Sequence, residues 1–296
     1  MTYMSKRELY NACRIPAAEL EHHPELRIPF RICRDSIEMG VLMARELVQE
    51  IQARTSKGEP TRAILPCGPT CWHKPFVEIV NRERVSLRSL VVFLMDECLD
   101  WQGRPLPRRH PFNFRTVMEE EFYSPVRPEL RVLEENRYSP DGGNMVELQE
   151  RIRSTTIDIT YGGWGQDGHV AFNQAKRNPY SPLSVEDVRM STVRIQENNL
   201  DTILALAQRT LGCAYQFVPP MSVTLGLKEI MSSKKVRVFS DTGAWKQTAL
   251  RVALFGPVTP EYPMSFLQEH PDVLITATLE TATHPISDHP EWDMGV

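Results

Sequence analysis

A glycine-rich segment at residues 162–173 holds two side chains suited to proton transfer, Asp167 and His169. Four glycines within seven residues follow an apolar run, so the backbone can turn tightly there and approach a ligand closely. A carboxylate beside an imidazole fixes its tautomer and orientation, which general acid–base catalysis requires. The alternative is a simple connection in which Asp167 caps the next helix. The glycine spacing does not fit a dinucleotide-binding loop.

A second candidate is the acidic pair Asp96 and Glu97, which follows the apolar run at residues 87–95. Acidic side chains at the end of a buried strand are partly removed from water, and burial raises the pKa of a carboxyl group. A carboxyl group with a raised pKa is suited to act as a general base. For this pair the alternative is a helix cap or a structural salt bridge.

Three further places could bind a phosphate group. Gly68, Pro69 and Thr70 form a strand-to-helix turn that offers backbone N–H groups and a hydroxyl group, although Pro69 itself lacks an N–H. Lys246 lies in the first turn of a predicted helix, and Arg209 lies near the end of another. For both cations the alternative is an ordinary solvated surface side chain.

The elements that must position these residues alternate between strands and helices. Apolar runs that predict strands lie at residues 62–66, 87–95, 156–161, 222–227, 235–240 and 273–278. Amphipathic segments between them, such as residues 36–54 and 198–211, predict helices. This alternation predicts an α/β fold with a doubly wound, mainly parallel sheet and helices on both faces, of the Rossmann-like kind. Ligands of such sheets bind at the carboxyl ends of the strands.

The two ends of the alternating region differ in pattern. Residues 1–30 are rich in proline, histidine and glutamate and predict an extended N-terminal arm. A homo-oligomer in which this arm contributes to the subunit interface remains open. Residues 31–296 predict a single α/β domain. The proline breaks in residues 177–186 predict a mobile surface loop.

The charge of the chain argues against nucleic acid or an anionic membrane as a partner, because the formal net charge is −4 and the sequence pI is near 6.1. The sequence predicts neither a secretory signal nor a membrane span. Its six scattered cysteines predict reduced thiols and a cytoplasmic protein. Cys67 and Cys71 form a close pair, but no second pair completes a zinc site, so no metal is expected.

Several motifs, in the same order along the chain, resemble those of the glucosamine-6-phosphate deaminase/isomerase family, to which the 6-phosphogluconolactonases are more distantly related. The matches are Met95-Asp96-Glu97, His110-Pro111, the run from Gly165 to Asn173, Val218-Pro219, Thr224-Leu225-Gly226, and Gly243 with Lys246. They fall within residues 36–271. The resemblance implies a sugar-phosphate isomerase fold, a small-molecule sugar phosphate as partner, and no metal or organic cofactor.

The resemblance also implies catalytic roles. Asp96 would be the base that moves a proton between C2 and C1 of the opened amino sugar. His169 would assist ring opening and be held by Asp167. The family carries a glutamate that also bonds this histidine, where this chain has Gln174. A neutral amide can orient the imidazole but cannot stabilise its cationic form. Gln174 is therefore expected among the catalytic residues, and it is the main departure from the family pattern.

The substrate-binding residues follow from the same motifs. The resemblance assigns the phosphate to the turn, to Arg209 at its fixed spacing before Val218-Pro219, and to Lys246. The full set expected to bind substrate is Gly68, Pro69, Thr70, Glu97, Gly165, Arg209 and Lys246. Cys98, Pro220 and an insertion around residues 101–109 depart from the family pattern and bear on the choice of substrate.

Three functions remain open from the sequence. The first is an amino-sugar-phosphate deaminase or isomerase. The second is a lactone hydrolase similar to 6-phosphogluconolactonase, in which His169 would activate water without need of Asp96. The third is a regulator that binds a sugar phosphate without turnover, which Gln174 keeps open because a site can persist for binding alone.

Overall fold

A computed structural model describes residues 4–176, 178 and 180–296 of the chain. Its strands are β1 (Phe30–Cys33), β2 (Thr61–Leu65), β3 (Leu90–Leu94), β4 (Asp96–Leu99), β5 (Arg137–Tyr138), β6 (Ile159–Gly162), β7 (Arg194–Glu197), β8 (Met221–Thr224), β9 (Lys235–Ser240) and β10 (Val273–Thr278). Seven of them form one sheet in the order β1-β10-β9-β6-β2-β3-β5, with every neighbouring pair parallel. The predicted α/β class with a mainly parallel sheet is confirmed.

Helices surround this sheet. They are α1 (Lys6–Cys13), α2 (Ala17–Leu20), α3 (Ser36–Thr55), α4 (His73–Glu83), α5 (Phe114–Met118), α6 (Met145–Arg153), α7 (Val185–Arg189), α8 (Leu200–Thr210), α9 (Leu227–Met231), α10 (Gln247–Phe255), α11 (Leu279–Ala282) and α12 (Pro285–Asp288). A π-helical turn, Glu119–Tyr123, continues α5. Short 3-10 helices lie at Glu134–Asn136, Tyr215–Phe217, Ala244–Lys246 and Pro263–Glu269. Within the described residues, none of the helices is both long and apolar enough to cross a membrane.

The central strands are buried on both faces, which is why their sequences are almost continuously apolar. Alternate residues of β2 belong to two different core clusters: Ala63 and Leu65 pack with residues of α3 and α4, and Ile64 packs with residues of α10. A strand turns successive side chains to opposite faces, so the two clusters cover the two sides of the sheet. The helices therefore lie on both faces, as the sequence predicts.

The N-terminal segment differs from the predicted extended arm. Residues Lys6–Cys13 form α1, whose first turn is closed by a reciprocal capping box between Ser5 and Glu8. Ala12 and Cys13 are buried, and the guanidinium group of Arg251 on α10 donates a hydrogen bond to the Ile15 carbonyl (3.0 Å). The spacing of Ser5 and Glu8 is the pattern that predicts this helix start.

A second, three-stranded antiparallel sheet, in the order β4-β8-β7, was not predicted. Only Met95 separates β3 from β4. The N–H of Met95 donates to the carbonyl of Leu65 in the first sheet (2.9 Å). Its carbonyl accepts a hydrogen bond from the N–H of Leu225, which lies beside the second sheet (3.0 Å). The chain thus passes between the two sheets in one residue. Asp96 begins a new strand there instead of following the end of the old one.

Two local predictions also change. The strand expected at residues 222–227 ends at Thr224, because Gly226 begins helix α9 and donates its N–H to Glu229 of that helix (3.0 Å). Within the loop expected at residues 177–186, positions 177 and 179 lie outside the described residues. The helix α7 begins at Val185, capped by Ser184.

Candidate active site

A cleft opens at the carboxyl ends of β2, β6 and β9, bounded on one side by α8. Ligands of parallel sheets bind at this edge. Seven of the residues singled out from the sequence line it: Gly68, Pro69, Asp96, Gly165, His169, Arg209 and Lys246. Four do not: Thr70, Glu97, Asp167 and Gln174. The fold therefore gathers predicted site residues from five separate segments of the chain around one space, and four of these segments supply an ionisable group.

Asp96 is the first residue of β4 and is only 7% exposed. Its carboxyl group has no hydrogen-bond partner among the residues that the structure describes. Burial, together with the negative charge of Glu97, raises the pKa of Asp96 to about 8. A carboxyl group of this kind exchanges a proton near neutral pH, which suits it to act as a base on a weakly acidic C–H group.

Glu97 points away from the cleft, contrary to the expected substrate contact. Its carboxylate accepts backbone N–H groups from Cys98 (2.9 Å), Phe114 (2.8 Å) and Arg115 (2.8 Å). Burial raises the pKa of Glu97, and these three hydrogen bonds oppose the rise. Successive residues of a strand face opposite sides, so only one acid of the pair can face the cleft. Glu97 holds the first turn of α5 against β4.

The imidazole of His169 is oriented by Asp167. Its Nδ1 lies 2.6 Å from Oδ1 of Asp167, and the other carboxylate oxygen accepts a hydrogen bond from Asn199 (2.7 Å). Burial would raise the pKa of Asp167, but the charge and hydrogen bond of His169 and the Asn199 amide outweigh it and hold the pKa well below its usual range. An ionised Asp167 fixes the proton of the ring on Nδ1 and leaves Nε2 as the nitrogen for a ligand.

Gly165 lies directly against the same ring. A Cβ atom at this position would lie 2.1 Å from Cε1 and 2.3 Å from Nδ1 of His169, which is closer than atoms can approach. On its other side the ring stacks against Phe172, with ring centroids 6.0 Å apart. Gly165 therefore makes room for the imidazole, a more specific role than the substrate contact expected from the sequence.

Gln174 does not touch His169, which corrects the contact expected from the family pattern. Its side-chain oxygen accepts the backbone N–H of Asn199 (2.5 Å), and its amide nitrogen donates to Asn198 (3.3 Å). Because Asn199 in turn bonds Asp167, Gln174 lies two hydrogen-bonded residues away from the imidazole. The replacement of a carboxylate by an amide here does not remove a partner from the His169 ring.

Away from His169 the cleft lining carries two cations: Arg209 lies about two turns of α8 beyond Thr202, whose hydroxyl group is 3.4 Å from the His169 ring, and Lys246 lies close enough to Arg209 to be affected by its charge. Neither charged group forms an ion pair or a hydrogen bond within the described part of the chain. Lys246 is 8% exposed, and its Nζ lies 4.8 Å from the ring centroid of Trp245 and 5.8 Å from that of Trp164. Burial, reinforced by the nearby charge of Arg209 and opposed by Asp241, lowers the pKa of Lys246 to about 7. An anion bound here would satisfy both cations.

The turn expected to bind phosphate contributes only in part. Gly68 and Pro69 line the cleft, whereas Thr70 is exposed and lies outside its lining. Thr242 offers a hydroxyl group instead: it lines the cleft, and its buried Oγ1 has no hydrogen-bond partner among the residues that the structure describes. A buried hydroxyl group without a partner is costly and is satisfied when a ligand oxygen approaches.

Comparison with other proteins places these residues in a family. No model of a protein family matches the chain. A glucosamine-6-phosphate deaminase of Aliivibrio fischeri (strain MJ11) is 31% identical over 244 residues, which cover 80% of this chain and 85% of the relative. One of Aeromonas hydrophila subsp. hydrophila is 30% identical over 246 residues, again 80% of this chain and 85% of the relative. The chain belongs to the glucosamine-6-phosphate deaminase family.

Solved structures share the fold of this deaminase-family chain. A monomeric glucosamine-6-phosphate deaminase superimposes with a TM-score of 0.72 at 21% identity, over 86% of this chain and 98% of that protein. A 6-phosphogluconolactonase from Trypanosoma brucei superimposes with a TM-score of 0.61 at 16% identity, over 87% of this chain and 98% of that protein. At these identities the likeness concerns the fold, which deaminases and lactonases have in common.

Several residues of the deaminase-family cleft were missed from the sequence. They are Trp164, Thr202, Asp241, Thr242 and Trp245, with Asn199 directly behind the cleft. Trp245 could have been suspected, since it precedes Lys246 at the predicted phosphate end. Asn199 gives no local signal, because its partner Asp167 is 32 residues away along the chain. Among the described residues, no group of three or more His, Cys, Asp or Glu side chains is arranged to hold a metal ion.

Proposed function

We propose that the protein converts an amino-sugar 6-phosphate to a ketose phosphate and ammonia. The observation that carries this proposal is the arrangement of the cleft: a buried carboxyl group and an oriented imidazole lie at one end and two cations at the other, and within the described part of the chain neither this carboxyl group nor the cations are paired. This is the pattern needed to bind a phosphorylated sugar at one end and to move protons at the other. Membership of the deaminase family supports it.

The phosphate end holds the substrate. Arg209, Lys246 and the Thr242 hydroxyl group bind the phosphate, whose negative charge replaces the missing partners of all three side chains. Trp245 and Trp164 keep water from Lys246, which strengthens its attraction to an anion. Binding energy gained at this remote group fixes C1 and C2 of the sugar near the proton-transfer end.

The proton-transfer end then carries out the reaction. Nε2 of His169 takes a proton from the C1 hydroxyl group and gives one to the ring oxygen; the bond between C1 and that oxygen breaks, which opens the sugar to an aldehyde at C1 with an amine at C2. Asp96 removes the proton from C2 and returns it to C1, while the nitrogen gives up a proton and the C1 oxygen takes one up. These transfers leave an imine at C2 and a hydroxymethyl group at C1. Water adds to the imine, and ammonia leaves to give the ketone. The route uses only residues of this chain and one water molecule.

An ammonia-release screen tests the proposal. Glucosamine 6-phosphate and galactosamine 6-phosphate are incubated with the protein between about pH 6 and 9, a range that brackets histidine titration. Ammonia and ketose phosphate should appear in equal amounts, and the Asp96→Asn variant should release neither. If neither sugar turns over at any of these pH values, the deaminase assignment fails.

A second candidate, lactone hydrolysis, is favoured by one observation: the Asp167–His169 pair could activate water for attack on a lactone carbonyl. The fold is shared with 6-phosphogluconolactonases. This reaction would not need Asp96. Acid release from a phosphorylated lactone that persists in Asp96→Asn would support hydrolysis over deamination, and calorimetric binding of a sugar phosphate without either turnover would indicate a binding protein.

The proposed compartment is the cytoplasm. All six cysteines are free thiols, and four of them are buried, including Cys67 in the cleft wall. Free thiols persist in a reducing compartment. Fractionation of the source cells, followed by thiol titration of the purified protein, tests this proposal, which fails if disulfides are found.

A further inference from the structure

Asn199 lies between the Asp167–His169 pair and helix α8. Its side-chain nitrogen donates to Oδ2 of Asp167 (2.7 Å), and its side-chain oxygen accepts the backbone N–H of Thr202 as the N-cap of α8 (2.9 Å). The same helix carries Arg209 into the phosphate end of the cleft. One half-buried amide is thus in contact with the proton-transfer end and with the helix that helps to hold the phosphate.

The polarity of these contacts admits few side chains. The N–H of Thr202 can only donate, and the Asp167 carboxylate, with its pKa held below the usual range, can only accept. The group between them must therefore offer an acceptor on one side and a donor on the other, at two separate atoms. An asparagine amide does so. A carboxylate has no donor, and a single hydroxyl oxygen does not occupy both positions.

Other hydrogen bonds hold Asn199 itself in place. Its backbone N–H donates to Gln174, whose amide donates to Asn198. Asn198 is buried, accepts a hydrogen bond from Ser222 on β8 (2.8 Å), and donates to the Pro219 carbonyl (2.8 Å). The second sheet therefore fixes the position of Asn199.

We propose that Asn199 is a positioning residue, which holds the Asp167 carboxylate, and through it the His169 imidazole, in a fixed relation to the first turn of α8. The inference rests on the proposed function, since it concerns proton transfer by His169. Asp167 is buried, so without Asn199 one of its oxygens would lose a partner that water cannot readily replace. The carboxylate would then turn and release the ring from its orientation.

Two substitutions separate this role from helix capping. Serine and aspartate both cap helices as well as asparagine does, so both variants should keep α8 in place. Asn199→Ser removes the donor to Asp167, and we expect kcat to fall about tenfold. This loss is smaller than the full contribution of a positioned acid–base group to the rate, because His169 itself is still present. Asn199→Asp sets a second carboxylate against Asp167, and we expect a fall of about a hundredfold. KM for the sugar phosphate should change less than about twofold in both, because Arg209 stays in place.

The control is Ser184→Ala, which removes the side-chain cap of α7 at a position that does not line the cleft. It should lower thermal stability and leave kcat unchanged. A purely structural role for Asn199 predicts that Asn199→Asp equals wild type, because aspartate caps a helix and favours its N-terminus. That outcome would overturn the proposal, as would losses of kcat no larger than in Ser184→Ala.

A spectroscopic measurement makes the test independent of turnover. Nitrogen-15 shifts of the His169 ring, assigned against His169→Gln, should report one tautomer with the proton on Nδ1 in the wild-type protein. In Asn199→Ser the ring should show a mixture of tautomers. If wild type releases no ammonia but the shifts change in this way, the proposed function fails and the positioning role stands. If the shifts are the same in both proteins, the positioning role fails whatever the activity.

Discussion

The two ends of the cleft differ in how their buried charged groups are stabilised. At the proton-transfer end, Asp167, His169 and Asn199 satisfy one another through hydrogen bonds, and Asp96 avoids charge altogether through its raised pKa. At the phosphate end, Lys246 and Arg209 have no ion-pair or hydrogen-bond partner among the described residues, and indole rings lie where counterions would around Lys246. Charge is balanced or suppressed without a ligand at the first end, and is balanced only by a bound anion at the second.

This difference has a consequence for kinetics. Groups that are fixed before substrate arrives should affect kcat, because their orientation matters in the transition state. Groups that gain their partner from the substrate should affect KM first, because they contribute to binding throughout the reaction. Substitutions at the two ends should therefore give opposite kinetic patterns.

The largest effect is expected from Asp96→Asn. The amide cannot accept the C2 proton, so kcat should fall about a thousandfold, within the range attributed to general acid–base groups. Ammonia release under saturating substrate measures it. Calorimetry should show that the variant still binds the sugar phosphate; lost binding would mean that Asp96 also belongs to the phosphate end.

Gly165→Ala should lower kcat about a hundredfold, because misplacing a catalytic group by about 1 Å has this cost. The new Cβ would occupy space that the His169 ring now fills. Gly143→Ala is the matched control, since its Cβ would lie 3.4 Å from the nearest atom, Oδ1 of Asp141. Equal activities for the two variants would show that the ring can move without loss.

Lys246→Met should raise KM about thirtyfold and change kcat far less, since hydrogen bonds to charged groups contribute about 1.5–3 kcal/mol. Methionine keeps an apolar chain beside Trp245 but removes the charge. Initial rates over a range of substrate concentrations separate the two constants. Lys74→Met, at an exposed lysine of α4, is the control. A fall in kcat at unchanged KM would contradict the division between the two ends.

Activity should rise with pH through the titration of Asp96. A base must be ionised, and with a pKa of about 8 this carboxyl group is mostly protonated at pH 7. In the substrate complex the bound phosphate keeps Lys246 charged, so Asp96 is the group that titrates there. We therefore expect kcat at pH 7 to be about a tenth of its value on the alkaline plateau, as for a single ionisation. Initial rates at saturating substrate concentration between pH 6 and 9 measure the profile. A flat profile from pH 7 to 9 would show that Asp96 is already ionised.

The smallest effect is expected from Gln174→Glu, which restores the residue type of the family. The new carboxylate keeps the acceptor for the Asn199 N–H and still does not reach His169. We expect kcat to change less than about threefold, because Asp167 and His169 keep all their partners and only the 3.3 Å hydrogen bond to Asn198 is lost. Saturated ammonia release is again the measurement. A tenfold gain would indicate that residue 174 contacts the imidazole in the working enzyme.

The sequence predicted the large elements well, because their apolar patterns depend on local spacing. The β9 and β10 strands match the predicted bounds. The buried run before Asp96 also leads that side chain to the cleft, where it was expected. It did not show that the chain continues as β4, since pairing with β8 depends on residues more than 120 positions away. Without β4 the alternation of Asp96 and Glu97 could not be recognised, so both acids were assigned to the site.

The contacts within the site that the sequence did not predict also depend on residues far away along the chain. Gly165, His169 and Lys246 belong to motifs and were found, although the steric role of Gly165 appears only when the ring is placed over it. Trp164 and Asn199 act through contacts with distant segments, Lys246 and Asp167 respectively. No local spacing encodes such contacts. The contact expected of Gln174 failed for this reason, because a motif position does not state which way a side chain turns.

The single-residue passage at Met95 has an evolutionary consequence. Its backbone is bonded to both sheets, so Asp96, which follows it, is held by hydrogen-bonded strands and not by a loop. Segments outside the two sheets, such as the insertion expected around residues 101–109, begin only after β4 has ended. Such segments can lengthen, shorten or change composition without moving the Asp96 carboxyl group. The proposed proton-transfer step can therefore be inherited unchanged while segments outside the two sheets diverge.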